Sequence, residues 1–285
     1  MTGRWSFLGA RWGVARAGAY LLLSAYALSS ILTFAWFITV SLKSEQEFFG
    51  SNPWSLPGYL RFQNYVDAWR LGEIGSYFGN SVIVTTVSVC VGIALSANAA
   101  YVLARVEFPG RGAVFGLFGV GLMIPAFLVV IPLFFLLKDL GLLGSLWGLC
   151  IVYVASSLPF NTLVLTGFFR TLPDEIEEAA YVDGCSPLRA YLSVMLPMAT
   201  PAVVALAVLQ TLWLWNELFF ALVFISDPSK FTVPVGLLQL GYNTDRGGGW
   251  TLLFAGLVIS IVPVLALFAL AQERIIRASS GALKG

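Results

Sequence analysis

Six long stretches without a single Asp, Glu, Lys or Arg dominate the chain: residues 17–42, 74–104, 112–137, 140–169, 190–216 and 247–272. Each exceeds the roughly 20 apolar residues that an α-helix needs to cross a bilayer. Allowing for loop at both ends of every stretch, the pattern predicts six transmembrane helices near residues 18–41, 79–103, 114–137, 146–168, 202–225 and 251–271. Between them, the Gly/Pro-punctuated segments Phe48 to Tyr65 and Gly241 to Trp250 read as extramembrane connections rather than linkers. Residues 1–285 are therefore expected to form a single integral membrane domain.

Composition agrees: 58% of residues are hydrophobic and 11% charged, against about 25% charged in soluble globular chains. The fold class expected is all-α integral membrane. Lys and Arg near span ends set orientation, because the cytoplasmic side holds more of them. With the amino terminus inside, ten basic residues lie inside, among them Arg105, Arg170 and Arg189, against six outside, such as Lys43 and Lys230. This predicts a multi-pass protein of the cell membrane with both termini cytoplasmic. The 26 uncharged residues of the first stretch exceed a signal-peptide core of roughly 7–15, so a retained helix is expected.

One segment departs from the apolar pattern. Residues 170–200, RTLPDEIEEAAYVDGCSPLRAYLSVMLPMAT, gather Asp174, Glu175, Glu177, Glu178 and Asp183 and fall, on this topology, on the cytoplasmic side. They predict two helices joined at a tight corner. Thr171 is placed to cap and Pro173 to occupy a first turn, and the carboxylates complement the positive end of the helix dipole. Gly184 suits a left-handed helix stop, and Ser186-Pro187 supplies a fresh cap and first position. Five acids disfavour a resting place on anionic lipid. Ala179 and Ala180, beside Ile176, form an apolar face for a protein partner.

Glu178-Ala179-Ala180, Asp183-Gly184, Tyr191, Val194, Leu196-Pro197 and Pro201 resemble the EAA loop of ABC importer permeases in type and spacing. Cys185, Tyr191 and Val194 replace commoner residues at their positions without disturbing the turn. The stretches WNELFFALVF, Trp215 to Phe224, SGALKG, Ser280 to Gly285, and FQNYVDAW, Phe62 to Trp69, resemble the carbohydrate-uptake subgroup, in particular the shorter permease of maltose-type importers. The resemblance implies a type I importer permease fold with six transmembrane helices and an EAA coupling helix. It implies ATPase-coupling roles for Glu178, Ala179, Ala180, Asp183, Gly184, Leu196 and Pro197. It further implies a heterodimer with a second permease subunit, a cytoplasmic ATPase dimer that binds the ATP and Mg, an extracytoplasmic sugar-binding protein, a sugar substrate, and no nucleic acid.

The residues themselves contain no G-x-x-x-x-G-K-[ST] phosphate loop, no histidine, and three scattered cysteines, Cys90, Cys150 and Cys185. Neither a catalytic group nor a metal site is expected in this chain, and no cofactor of its own. A self-contained secondary transporter would ordinarily place several ionisable groups at membrane depth, where the sequence offers only Glu217. Gln210, Trp213 and Glu217 fall on one helical face as substrate-pathway candidates, with Asn216 beside them. The alternative role for Glu217 and Asn216 is to tie helices together. Pro125, Pro132, Pro159 and Pro263 are candidate kinks, and Gly112, Gly116 and Ala97, Ala99 and Ala100 candidate close-packing positions.

Overall fold

The computed structural model describes residues 5–50, 52–244 and 249–282, and every regular element among them is helical. In chain order these are α1 (Trp5–Ser41), α2 (Glu45–Gly50), α3 (Gln63–Arg70), α4 (Ile74–Arg105), α5 (Arg111–Met123), α6 (Ala126–Asp139), α7 (Leu146–Thr171), α8 (Asp174–Val182), α9 (Pro187–Ala190), a π-helical turn (Tyr191–Met195) and α10 (Leu196–Met198). There follow α11 (Thr200–Trp215), α12 (Phe219–Phe224), a 3-10 turn (Pro228–Lys230), α13 (Val233–Thr244) and α14 (Trp250–Ala282).

Among the described residues, α4, α7, α1 from Gly18 and α14 through Leu270 are each long and apolar enough to cross a membrane. The predicted third and fifth spans differ from continuous rods. Residues 114–137 divide into α5 and α6, which meet at 101°. The ring of Pro125 disfavours the helical conformation for the residue before it, and Ile124 is extended, with φ −85° and ψ 113°. The predicted span 202–225 is entered through a bend of 68° between residues 187–198 and α11, and α11 stops at Trp215. Pro132, Pro159 and Pro263 lie inside helices that continue through them.

The chain divides into two compact units, residues 1–72 with 240–259, and residues 73–239 with 260–285. In the first unit, Trp36, Phe37 and Phe254 form an aromatic cluster with ring centroids 5.2–5.8 Å apart. Glu45 caps α14 by accepting from the Thr251 amide at 2.8 Å and hydroxyl at 2.9 Å. The fully buried Lys43 donates to the carbonyls of Asn52 and Pro53 and to the Ser55 hydroxyl. Amide donors from Ser44 and Gly58 hold the Glu47 carboxyl below its usual range.

In the second unit, α4 runs along α7 as the most extensive helix pairing, joined by α11 and α5. Within a membrane such pairing rests on van der Waals fit and polar contacts rather than on hydrophobic expulsion. Ala97 and Ala100 of α4 are buried in the core. At Gly92 a Cβ would lie 3.0 Å from Ser157 Oγ and 3.2 Å from Gln210 Nε2, so a larger residue would require those side chains to shift. Gly112 and Gly116, expected to play this part, have open space around them.

Candidate functional site

The acidic segment folds as a helix, a left-handed corner and a second helix. The corner is a Schellman motif: Cys185 N donates to Ala180 O at 3.0 Å and Gly184 N to Tyr181 O at 3.0 Å. Gly184 has φ +82°, a conformation glycine adopts without the Cβ penalty of other residues. Ser186 then accepts from the Arg189 amide, with Pro187 in the first turn of α9. The start of α8 differs from expectation. Pro173 occupies the cap position, while the Thr171 hydroxyl is taken by the Phe168 carbonyl at 2.7 Å. Asp174, Glu175 and Glu177 occupy the first turn, where they complement the helix dipole.

Of the residues singled out for coupling, Glu178, Ala179, Asp183, Gly184 and Pro197 are exposed and Leu196 is half-buried. Ala180 is buried, 7% exposed, so of the apolar face expected from Ala179 and Ala180 beside Ile176, Ala179 is exposed and Ile176 half-buried. Val182, 87% exposed, and Leu188, 67% exposed, face outward on either side of the corner.

Sequence reasoning passed over the residues that brace this segment. Glu177, beside the signature triplet, is buried; its Oε1 accepts from Tyr101 at 2.5 Å and from Tyr181 at 2.8 Å. Burial first, and then the Glu177 bond, raise the Tyr181 phenol above its ordinary value, opposed in part by Tyr101. Arg105 forms ion pairs with Asp174 and, at 3.7 Å, with Glu177, and donates to the carbonyls of Phe169 and Leu172. The available signal was Arg105's position as the cation closing an otherwise uncharged run.

The polar residues of α11 separate into two groups. Gln210 and Trp213 line a cavity of about 400 Å³ with Phe160 and Ser156, and Asn161 Nδ2 donates to Gln210 Oε1 at 2.7 Å. Glu217 lies beyond the end of α11, not on its face. Its Oε2 accepts from the Tyr153 hydroxyl at 2.5 Å and from Ala221 N at 3.3 Å, and its Oε1 accepts from Phe220 N at 2.9 Å. The same carboxylate thus starts α12 and ties it to α7. Asn216 is exposed and donates to Leu212 O within its own turn. Among the described residues no cluster of His, Cys, Asp or Glu could hold a metal ion.

Residues 88–278 match the family described as binding-protein-dependent transport system inner membrane component. The chain is 40% identical over 261 residues to the diacetylchitobiose uptake system permease protein NgcG of Streptomyces coelicolor, covering 90% of this chain and 85% of that one. It is 30% identical over 279 residues to the trehalose transport system permease protein SugB of Mycobacterium tuberculosis, covering 98% and 100%. In structure it is similar, with a TM-score of 0.80 and 22% identity, to a chain of a bacterial ABC transporter involved in the import of the acidic polysaccharide alginate, covering 96% and 98%. That likeness establishes the same fold. The chain belongs to the family of inner membrane components of binding-protein-dependent transport systems, as an ABC transporter permease.

Proposed function

We propose that this chain is one of two permease subunits of an ATP-driven sugar importer, working with an extracytoplasmic sugar-binding protein and a cytoplasmic ATPase dimer that binds the ATP and Mg. Sugar as the cargo is supported by the substrates for which the relatives are named, diacetylchitobiose and trehalose. On this reading residues 1–285 act as a single permease domain with both termini cytoplasmic. The shape of the acidic segment carries the coupling role. Its corner presents Val182 and Leu188 to an outside surface, flanked by Glu178 and Asp183, while Glu177 and Ala180 anchor it inward. A knob with exposed apolar tips and a buried polar root is suited to receiving a push from a docked partner and passing it to the spans.

Gln210 and Trp213, beside Phe160 and Ser156, are the proposed substrate-contact residues of this subunit, since an indole face and amide groups suit a pyranose ring. Glu217 and Asn216 are assigned to helix geometry. The experiment is reconstitution of the four-component system in vesicles, with import of labelled sugar and ATP hydrolysis measured together. A Cβ added at Gly184 meets no neighbour within 4 Å, so Gly184→Val perturbs the corner chiefly through the left-handed backbone, at about 1–2 kcal/mol. Lower sugar-stimulated hydrolysis and import are expected; unchanged coupling would refute the role of the loop. Import driven by an ion gradient without the ATPase would refute the ATP-driven reading.

A further inference from the structure

One helical turn of α4 grips both limbs of the acidic segment. The Arg105 guanidinium lies at the junction where α7 ends and α8 begins: it takes the carbonyls of Phe169 at 2.8 Å and Leu172 at 2.5 Å, and the carboxylates of Asp174 and Glu177. Four residues earlier, Tyr101 donates to Glu177, its ring lies 5.8 Å from that of Phe169 and 4.6 Å from that of Tyr191, in the π-helical turn that follows the corner. The end of α4 is itself fixed, because Arg111 donates to the carbonyls of Leu103 and Ala104 at 2.8 Å each. A planar, five-donor cation can hold carbonyl and carboxylate groups from two helices at once; an ammonium group lacks that fork.

The other end of this contact is the cavity. Gly92 lies thirteen residues before Arg105 in the same unbroken helix, about 20 Å along its axis. It packs against Ser157 and Gln210, two residues that line the cavity. We propose that Arg105 is the positioning residue that fastens the coupling segment to α4, so that displacement of α8 moves α4 against Ser157 and Gln210 at the cavity. The inference rests on the coupling role of residues 170–200 given above and adds the path by which that segment acts. Arg105 is not among the residues that line the cavity. It acts through Asp174, Glu177 and the end of α7, and its 8% exposed side chain is enclosed by them.

The test is the number of ATP molecules hydrolysed per sugar imported by the full complex in vesicles, with thermal melting of the same preparations. Arg105→Gln is expected to raise this ratio roughly tenfold, with Arg105→Lys between it and the parent because charge remains and the fork is lost. Asp174 is 80% exposed, so Asp174→Asn should fold normally and raise the ratio by a smaller factor. Adding Asp174→Asn to Arg105→Gln should change nothing further, since the pair acts as a unit. If Arg105→Gln does not assemble, Asp174→Asn and Tyr101→Phe decide by the same ratio. An unchanged ratio in the variants that assemble, or import and hydrolysis falling in parallel with a lower melting temperature, overturns the proposal. Gly184→Val measured alongside separates the two claims: lower sugar-stimulated hydrolysis and import there with an unchanged ratio at Arg105 removes the clamp alone, and parental hydrolysis and import there with an unchanged ratio at Arg105 removes the coupling role of the segment as well.

Discussion

Replacing Glu217 distinguishes a carboxylate that shapes the bundle from one that greets a sugar. Three donors converge on it: the hydroxyl of Tyr153, which is 1% exposed, and the amides of Phe220 and Ala221. Glu217→Leu removes every acceptor. An orphaned buried hydroxyl costs about 1–3 kcal/mol, and loss of a helix cap about 1 kcal/mol. Together these predict a loss of about 2–4 kcal/mol, which for a domain of this size lowers the melting temperature by roughly 5–15 °C. Glu217→Gln is milder for a geometric reason. With its oxygen toward Phe220 N, its amide group donates to Tyr153, whose hydroxyl rotates to accept. Only the long bond to Ala221 N, at 3.3 Å, is then lost. The assay is thermal unfolding of the assembled complex beside sugar import, in several sugars. Glu217→Leu should weaken stability whatever the sugar. A Glu217→Leu complex that melts like the parent but fails to transport would refute this reasoning and place the carboxylate in the substrate pathway.

Two further outcomes follow from the remaining proposals. Trp213→Ala should raise the apparent KM for sugar import while leaving assembly and melting temperature near those of the parent, because Trp213 is 51% exposed at the cavity rather than packed in the core; an unchanged KM would remove it from the pathway. Deleting residues 280–285, of which the last three lie outside the described residues, should lower sugar-stimulated ATP hydrolysis without lowering membrane insertion, and unchanged hydrolysis would assign the tail no part in coupling.

The corner of the acidic segment was legible because its chemistry is local. Gly184 in the left-handed region and Ser186-Pro187 at a helix start are demands that a few consecutive residues make on their own backbone. The apolar runs likewise announced helices, since length and absence of charge are one-dimensional properties. What they could not announce was continuity. Pro125 and Pro132 look alike in the sequence, yet only at Pro125 is the helix broken, while α6 runs through Pro132. Whether a proline kinks or breaks a helix depends on what compensates the missing bond, and that is supplied by neighbours.

The same limit explains the misplaced faces. Gln210, Trp213 and Glu217 share a stripe only on a helix that continues past Trp215, and Glu217 itself ends that helix by turning to cap the next one. A carboxylate at membrane depth reads as a cost until its donors are found. Tyr153, 64 residues earlier, supplies one, and the two amides of α12 supply the others. Arg105 reverses the situation: as a basic residue at a span end it had an adequate explanation in orientation, which left its pairing with Asp174 and Glu177, about seventy residues on, without a trace in the pattern. Counting charges by side of the membrane and asking what each charge touches are separate questions. For Arg105 the second answer connects the acidic segment to α4.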